Sequence, residues 1–592
     1  MRTYSGFPLA VATFLLLALP SSAQVDHAIT LERDLKVKMR DGVVLAADIY
    51  HPIGEGRYPV LLQRTPYNKN LQADLAIKAA TRGYVVIVQD VRGRFASEGE
   101  WYPFQYESQD GYDTVEWAAA LPYSDGRVGM FGESYVGATQ VLAAIAHPPH
   151  LAAIAPSDTA SNYHRNWTYQ GGAFQQGFNQ SWTSILAVDT LSRHLAKIAN
   201  SSDESRILPL SQYPLFDFSA LPAEKDWTAK YAPYLLDWMS HPSFDEYWRR
   251  WSIEDHYADI QVPALTITAW YDIFQDGSLR NYQGFKEEIG NVAARKNQWL
   301  LVAIGGHAGS GRHIGELDFG QAAADYSEDD TVLSWYDFQF KGVDNAWARS
   351  KPVRIFVMGT NTWRDEEQWP LARAKEVKYF LHSSGQANSS TGNGTLSQVA
   401  PHSEESDQYS YDPRDPVPTT GGPLCCDSVH LPAGPRDQRS VELRKDVLVY
   451  SAAPFAHDTE VTGSIVVELY VKSTAVDTDF TAKLMDVWPT GYAQNLSEGI
   501  LRARYRESQS VPSLLVPGQV YKIKLDLEAT SNVFRAGHVL RLEISSSNFP
   551  RFDRNLNSGE GDANTPHLVT ATNTILHDEK HPSALILSTV SQ

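Results

Sequence analysis

The sequence predicts an α/β domain with an inserted helical cap, followed by an all-β domain of the sandwich or jelly-roll type. Three observations predict this architecture. From Leu35 to about His307, short apolar and β-branched runs alternate with longer amphipathic runs, which is typical of βαβ units around a mostly parallel sheet. Between Tyr163 and Ile253 the sequence is aromatic-rich with helical spacing. After about Trp369, alternating strands are separated by turn residues.

The individual elements follow in chain order. The predicted strands of the α/β domain are Val60–Leu62, Tyr84–Val88, Val128–Phe131, Leu151–Ala155, Ala264–Thr268 and Trp299–Ile304. The predicted helical stretches of the cap are Trp182–Ile198 and Tyr231–Trp251. The all-β domain is predicted to contain long loops over residues 383–423 and strands at Gly463–Val471, Val520–Leu527 and Val539–Ser545. The predicted boundaries are 24–162 and 256–370 for the α/β domain, 163–255 for the cap and 371–592 for the all-β domain.

The charge, the cysteine content and the absence of metal-binding motifs exclude several kinds of partner and cofactor. The net charge of −19, with no block of Lys or Arg, disfavours nucleic acid and anionic lipid as partners. Neither an H-E-x-x-H motif nor a Cys/His cluster is present, so we expect no metal and no organic cofactor. The two cysteines, Cys425 and Cys426, are adjacent, and they can either form a vicinal bridge or stay reduced and buried.

The N-terminus has the pattern of an export signal over residues 1–23. Arg2 supplies a positive end, Leu9–Leu19 an apolar core and Ser21-Ser22-Ala23 small residues for cleavage before Gln24. The apolar run is shorter than the roughly 20 residues that span a bilayer. We therefore expect a secreted or periplasmic protein that has no membrane segment in its mature form.

The strongest local signal for chemistry is the hexapeptide Gly132-Glu133-Ser134-Tyr135-Val136-Gly137. It follows a predicted strand and precedes a helix-capable run, which is the setting of the G-x-S-x-G nucleophile elbow, although its second glycine falls one position late. Glycines are needed there because neighbouring segments pass too close for side chains. The motif predicts that Ser134 is a nucleophile.

A serine nucleophile requires a base and an acid that orients the base. In folds with such an elbow these residues follow in the order Ser, Asp or Glu, His, each at the end of a strand. His307 ends a predicted strand among small residues, and Asp272 directly follows another. Asp276 is the competing carboxylate, and we expect it to be a solvated loop charge.

Acyl transfer also requires two hydrogen-bond donors for the oxyanion. The backbone N–H of Tyr135, the residue after the nucleophile, is one expected donor. The second should come from the loop after an early strand, which here is Arg64–Lys69 and lacks a run of glycines. The hydroxyl of Tyr67 is therefore the candidate for the second donor, with a packed loop tyrosine as the alternative.

Further motifs, in the same order along the chain, resemble the cocaine esterase family. They are Met39-Arg40-Asp41-Gly42, Arg64-Thr65-Pro66-Tyr67, Gln89-Asp90-Val91-Arg92-Gly93-Arg94, Ser97-Glu98-Gly99, Gly132 to Gly137, Trp270-Tyr271-Asp272, Trp363-Arg364-Asp365, Asp477-Thr478-Asp479-Phe480 and Ser545-Ser546-Ser547-Asn548-Phe549-Pro550. The resemblance covers nearly all of the chain after the export signal. The late second glycine of the elbow is similar to that family's own form of the motif.

The resemblance implies an α/β-hydrolase domain with an inserted helical cap and a C-terminal jelly roll. It also implies that Ser134, Asp272 and His307 form a catalytic triad, and that Tyr67 and the Tyr135 amide form the oxyanion hole. By the same resemblance Trp167, Trp182 and Phe274 match substrate-binding positions of the acyl pocket, with packing in the core as the alternative.

Departures from the family pattern bear on the substrate. Related α-amino-acid ester hydrolases carry carboxylates just after the acid, whereas this chain has Ile273-Phe274-Gln275. That difference argues against recognition of a substrate ammonium and gives no support for X-Pro dipeptidyl-peptidase activity. The Cys425-Cys426 pair is similar to the glutaryl-cephalosporin acylases of the family, which implies an altered acyl pocket.

The sequence therefore predicts a secreted serine hydrolase that cleaves a small-molecule ester or amide through an acyl-enzyme. Two alternatives stay open: a relative of the X-Pro dipeptidyl peptidases or α-amino-acid ester hydrolases that recognises a free amine, and a catalytically dead secreted binding protein. The sequence leaves the oligomeric state open, with a homo-oligomer among the options.

Overall fold

The computed structural model describes residues 26–199, 227–307, 309–560 and 567–590. The predicted export signal, residues 1–23, and part of the predicted cap lie outside these ranges. The first elements of the α/β domain are β1 Ile29–Lys38, β2 Val44–Pro52, β3 Tyr58–Thr65, α1 Ala73–Thr81, β4 Val85–Asp90, α2 Glu107–Ala119, β5 Ser124–Glu133, α3 Tyr135–Ile145 and β6 Leu151–Ser157.

An insertion with helical character separates β6 from the next strand of the same sheet. Its elements are β7 Tyr169–Gln170, β8 Ala173–Phe174, α4 Gln176–Ala199, α5 Trp227–Tyr231, α6 Pro233–Ser240 and α7 Glu246–Arg249. Its aromatic side chains, among them Trp182, Trp238 and Trp248, belong to the same buried cluster as Tyr135 of the elbow. The insertion is thus packed directly onto the α/β domain. In the described ranges, no helix has both the length and the apolar character required to cross a membrane.

The chain then returns to the first sheet. The remaining elements of the α/β domain are β9 Ala264–Tyr271, α8 Gln275–Glu287, α9 Val292–Lys296, β10 Gln298–Gly306, β11 Gly309–Ser310, β12 His313–Ile314, β13 Leu317–Asp318, α10 Gln321–Ala324, α11 Glu328–Lys341, β14 Val353–Val357 and β15 Thr362–Glu366.

The sheet of the α/β domain has 11 strands in the order β1-β2-β4-β3-β5-β6-β9-β10-β14-β15, with β11 paired to β10. Strands β4 to β14 along this order run parallel, and antiparallel strands flank them. Central strands such as β4 and β9 are buried along their whole length, because helices cover both faces of the sheet. All six predicted strands of this domain coincide with or overlap observed strands.

The C-terminal domain is mostly sheet. Its strands are β16 Lys375–His382, β17 Thr395–Ser397, β18 Asp407–Tyr411, β19 Leu448–Ser451, β20 Thr459–Ser473, β21 Asp479–Val487, β22 Ala493–Arg502, β23 Tyr521–Phe534, β24 Val539–Ser545, β25 Ala571–Leu576 and β26 Ala584–Val590. Their pairing is antiparallel throughout except at a single β17–β19 pair.

The loops predicted over residues 383–423 contain two of these strands, so that prediction was wrong in part. β18 alternates buried and exposed residues, but its sequence Asp-Gln-Tyr-Ser-Tyr carries polar side chains on both faces. Asp407 is fully buried because it accepts hydrogen bonds from Tyr450 and pairs with His577. The buried positions of β18 are Asp407, Tyr409 and Tyr411, so the strand has no aliphatic residue to mark an apolar alternation.

Candidate active site

Three predicted site residues follow three strands of the parallel part of the sheet, in which β6 lies between β5 and β9 and β10 is next to β9. Ser134 follows β5, Asp272 follows β9, and His307 follows β10. Because the carboxyl ends of parallel strands meet at one edge of a sheet, residues distant in the chain are brought together there.

These residues form one continuous chain of hydrogen bonds. His307 Nε2 lies 2.9 Å from Ser134 Oγ, and His307 Nδ1 lies 2.7 Å from Asp272 Oδ2. Asp272 is fully buried, and its second oxygen accepts the Phe274 backbone N–H at 2.6 Å. The carboxylate is thus held in place by both oxygens, and it orients the imidazole toward Ser134.

The turn that carries Ser134 is strained and crowded. Ser134 has a φ of 65°, a backbone conformation that residues other than glycine rarely adopt. A Cβ at Gly132 would lie 2.4 Å from Val136 Cγ1, and one at Gly137 would lie 2.9 Å from the Ser157 carbonyl oxygen. Both glycines of the predicted elbow are therefore required sterically, including the one that falls a position late.

The charge of His307 is controlled by its neighbours. Burial alone lowers its pKa, but the charge of Asp272 and the hydrogen bond to it outweigh burial and raise the pKa to about 9. Glu133 and Glu328 act in the same direction through their charges. Glu133 Oε1 lies 3.9 Å from His307 Nδ1. The site therefore favours the imidazolium form of the histidine.

The competing carboxylate, Asp276, does not reach His307. Its oxygens accept hydrogen bonds from Arg280 Nε at 2.7 and 2.8 Å, and one of them lies 3.3 Å from Asn166 Nδ2. It is part of an ion pair rather than the freely solvated loop charge that the sequence predicted. The geometry assigns the acid position beside His307 to Asp272.

The two predicted oxyanion donors both lie near Ser134. Tyr135 is the first residue of α3, so its backbone N–H has no acceptor within the helix. The Tyr67 hydroxyl accepts a hydrogen bond from Trp182 Nε1 at 3.0 Å. Burial raises the pKa of Tyr67, although its hydrogen bonds with Trp182 and Ser134 lower it in part. Tyr67 is thus a protonated phenol beside the serine.

The three predicted substrate-binding aromatics form one cluster that adjoins this site. Trp167 stacks on Phe274 at 4.4 Å between ring centroids, and Trp182 meets Trp167 edge-on at 5.5 Å. Phe274 in turn lies 5.0 Å from the His307 ring. Each of the three is at most 3% exposed. Their position beside the triad fits the substrate-binding prediction, and their burial fits the alternative of core packing.

Sequence reasoning missed two residues at this site. Glu133 lies immediately before the nucleophile in the elbow motif, and this position is a signal that it lies near the histidine. Arg94 donates hydrogen bonds to the carbonyl oxygens of Pro66 at 3.1 Å and Leu186 at 2.9 Å. It therefore joins the loop of Tyr67 to α4 of the cap.

Glu133, Asp272 and His307 also bring ligand atoms within 4.8 Å of one another, which is the spacing of a metal site. The same atoms of Asp272 and His307 already form the hydrogen bonds of the triad. Asp272 and His307 thus already have partners within the triad.

Cys425 and Cys426 form a vicinal disulfide, which decides between the two states left open by the sequence. Cys425 is buried and belongs to the same cluster as Trp167 and Phe274. Its carbonyl oxygen lies 3.5 Å from Ser181 Oγ on α4. A loop of the C-terminal domain therefore packs against the cap close to the aromatic cluster.

Comparison with known proteins identifies the family. Residues 41–309 match the profile of the X-Pro dipeptidyl-peptidase (S15 family), and residues 345–586 match that of the X-Pro dipeptidyl-peptidase C-terminal non-catalytic domain. A cocaine esterase from Rhodococcus sp. (strain MB1 Bresler) is 38% identical over 582 residues, covering 96% of this chain and 100% of that protein. The chain belongs to the cocaine esterase family.

Membership of the cocaine esterase family confirms the resemblance found in the sequence and places the chain among serine ester hydrolases. Two solved structures share the fold. An aminopeptidase from a marine sediment Thaumarchaeota archaeon is 24% identical, with a TM-score of 0.78 and coverage of 98% of this chain and 99% of that chain. An α-amino acid ester hydrolase is 23% identical, with a TM-score of 0.78 and coverage of 98% and 100%. These similarities confirm an α/β-hydrolase-like domain followed by a mostly-sheet domain.

Proposed function

We propose that this protein hydrolyses carboxylic esters or amides of small molecules through an acyl-enzyme on Ser134. The observation that carries the proposal is the hydrogen-bond chain from Ser134 through His307 to Asp272, with distances of 2.9 and 2.7 Å. A serine hydroxyl is a weak nucleophile, and this arrangement supplies the base and the orienting acid that it requires.

The reaction proceeds in two halves. Ser134 Oγ attacks the substrate carbonyl carbon while His307 Nε2 takes its proton, and the imidazolium then gives that proton to the leaving alcohol or amine. In the second half, a water molecule loses a proton to His307 and attacks the acyl-enzyme, and His307 returns the proton to Ser134 as the acid leaves. Asp272 stabilises the imidazolium that forms in each half.

The oxyanion of each tetrahedral intermediate is held by two donors. The Tyr135 N–H is one, because it lies at the start of α3 next to the nucleophile. The Tyr67 hydroxyl is the other, because it is protonated and lies close enough to Ser134 for the two groups to interact. A side-chain donor takes the place of the glycine-rich loop that supplies a backbone donor in other α/β-hydrolases.

The preferred substrates carry no ammonium group beside the acyl carbonyl. Asp276, the first carboxylate after Asp272 in the chain, is held by Arg280 and is therefore already paired. The disulfide of Cys425 and Cys426 beside the aromatic cluster supports an acyl pocket of the glutaryl-cephalosporin acylase type. Recognition of a free amine, as in the X-Pro dipeptidyl peptidases or α-amino acid ester hydrolases, is the second candidate.

Replacement of Ser134 tests the proposal. Ser134→Ala should lower kcat by about 10⁴-fold or more, because the covalent step has no other nucleophile. It should leave the melting temperature nearly unchanged, since a serine hydroxyl contributes little to the core. Wild-type protein should be labelled by a fluorophosphonate and the variant should not, as seen by intact mass.

One substrate panel then separates the candidates. Aryl esters, β-lactam amides and dipeptide amides should be compared on the same purified sample. Turnover of the first two classes supports the proposal, whereas preferential turnover of dipeptide amides would favour the second candidate. Activity close to wild type in Ser134→Ala would overturn the acyl-enzyme on Ser134. The absence of both turnover and labelling in the wild-type protein would instead favour a binding protein.

We infer in addition that the C-terminal domain is a jelly roll, which its long antiparallel strands β20 to β24 support. We also propose that residues 1–23 direct export to the periplasm or beyond, supported by the charged, apolar and small segments of the N-terminus. The boundaries at residues 163, 256 and 371 are proposed on the change in sequence pattern.

A further inference from the structure

We propose that Trp182 of the cap is a positioning residue for the oxyanion hole, which directs the hydroxyl hydrogen of Tyr67 toward the reacting carbonyl. The inference rests on the proposed function, because it concerns a donor that acts in acyl transfer. It assigns to Trp182 a role different from the substrate contact that the sequence predicted.

The argument begins with what each group can donate or accept. The indole Nε1–H of Trp182 is a donor only, and it lies 3.0 Å from the Tyr67 hydroxyl oxygen. Because the indole cannot accept, the single hydrogen of the phenol must point elsewhere. Ser134 lies close enough to the phenol to lower its pKa. The Tyr67 hydrogen is thus directed into the space beside Ser134, where the oxyanion forms.

The bond from Trp182 also makes Tyr67 a better donor. A donor that approaches the phenol oxygen stabilises negative charge there, and this hydrogen bond lowers the pKa of Tyr67 against the opposing effect of burial. A phenol polarised in this way gives a stronger hydrogen bond to an oxyanion. The effect is largest in the transition state, when charge develops on the carbonyl oxygen.

The indole of Trp182 is held rigidly. The side chain is 3% exposed and is packed edge-on against Trp167 and parallel to Trp238, at 5.5 and 6.1 Å between centroids. A positioning group must be held in this way, because a mobile hydrogen-bond partner would not fix the orientation of the hydroxyl.

Arg94 fixes the distance between the two partners. Its buried guanidinium donates to the carbonyl oxygen of Pro66, the residue before Tyr67, and to that of Leu186, one turn after Trp182 on α4. The loop of the α/β domain and the helix of the cap are thus bonded to the same side chain. This second connection supports a defined Trp182–Tyr67 geometry rather than a chance contact.

The first experiment removes the indole N–H. Trp182→Phe should lower kcat by about tenfold, the effect of one hydrogen bond, with KM changed by no more than about twofold. Tyr67→Phe should lower kcat by about 10²–10³-fold. In the Tyr67→Phe background, Trp182→Phe should have almost no further effect on kcat, since its only route to the reaction is gone.

A matched control separates positioning from general damage to the cap. Trp248 is another buried tryptophan of the cap, and its indole N–H donates to the His241 carbonyl oxygen at 2.8 Å, away from Ser134. Trp248→Phe also removes one indole hydrogen bond but should leave kcat unchanged. If Trp182→Phe does not fold, incorporation of β-(3-benzothienyl)alanine at position 182 replaces only the N–H by sulfur.

Binding of phenylboronic acid gives a readout that does not depend on turnover. Its tetrahedral adduct with Ser134 resembles the intermediate, so Trp182→Phe should weaken its affinity by about the same factor as it lowers kcat. A purely structural role would instead lower kcat in step with the melting temperature.

The outcomes are distinct. The positioning role would be overturned if the double variant lost kcat by the product of the two single losses, or if Trp182→Phe changed KM alone. Labelling of Ser134 by the fluorophosphonate would be intact in either case. Retention of full kcat in Trp182→Phe would overturn the positioning role as well. Failure of Ser134 itself to react with the fluorophosphonate would instead refute the proposed function.

Discussion

His307 lies between a buried carboxylate and a serine hydroxyl, and the protein's charge distribution sets its ionisation. Burial opposes the charged form, whereas Asp272, Glu133 and Glu328 favour it and prevail. A general base must be neutral before it can accept a proton. Asp272 orients the imidazole and also raises the pH at which it loses its proton and can act as a base.

This gives a prediction for the pH profile. Because the pKa of His307 is raised to about 9, kcat/KM should increase with pH and reach its plateau well above the ordinary imidazole pKa of about 6.5. Glu133→Gln should move the midpoint to lower pH, since it removes a negative charge 3.9 Å from Nδ1. Profiles from about pH 5 to about pH 10 test this. A midpoint at or below that of free imidazole in the wild type would contradict it.

A pair of carboxylates tests the identity of the acid. Asp272→Asn should lower kcat by about 10⁴-fold, because the amide cannot stabilise the imidazolium and favours the wrong tautomer. Asp276→Asn is the matched control, since its partner is Arg280 and not His307, and it should retain most activity. Steady-state kinetics on both variants decide the matter. The reverse ranking would reassign the acid.

At the scale of elements, the central strands could be predicted because they are apolar. β3, β4, β5, β6, β9 and β10 are continuous apolar runs bounded by turn residues, and each was recognised. The antiparallel flanking strands β1, β2 and β15 and the parallel strand β14 were not among the predicted strands. β1 lies at the edge of the sheet, and half of its residues are exposed and half are charged, in the sequence ITLERDLKVK. Charged residues on an edge strand prevent it from pairing with the strands of other molecules. The same charges interrupt the alternation of apolar and polar residues by which a strand is recognised in a sequence.

The site residues divide in the same way. Ser134, Asp272 and His307 could be placed by their order and their positions after predicted strands, and their catalytic roles stay predictions. The bond between Trp182 and Tyr67 could not be predicted, because it joins a cap helix to a loop 115 residues away. Nothing local to either residue specifies that partner, and the same holds for Arg94 and Leu186.

At the scale of the whole molecule, the C-terminal domain contacts the loop that carries Asp272. The hydroxyl of Tyr271 donates to the Asn495 carbonyl oxygen at 2.8 Å and lies 3.2 Å from Gln494 Nε2, both on β22. Gln275 accepts the Ala529 N–H of β23 at 3.2 Å. The C-terminal domain thus binds Tyr271, the residue before Asp272, and Gln275, three residues after it. This domain itself supplies no member of the triad.

Tyr271→Phe tests this support. Loss of the hydroxyl should lower the melting temperature and reduce kcat by about three- to tenfold with KM little changed, because the acid becomes less well placed. Tyr282→Phe is the matched control, since within the described ranges its buried hydroxyl has no hydrogen-bond partner and its removal should be neutral or slightly stabilising. Kinetics and thermal melts on both variants test the claim. Equal effects of the two substitutions would refute it.

The insertion between β6 and β9 has a consequence for how such enzymes diversify. A cap that only shaped the pocket could be exchanged between relatives as a module, and specificity would travel with it. Here α4 also bears the indole that contacts Tyr67, and Arg94 binds the backbone of that same helix. Exchange of the cap between two relatives therefore also exchanges a residue that contacts the oxyanion donor. We expect such a chimera to change in kcat as well as in substrate range.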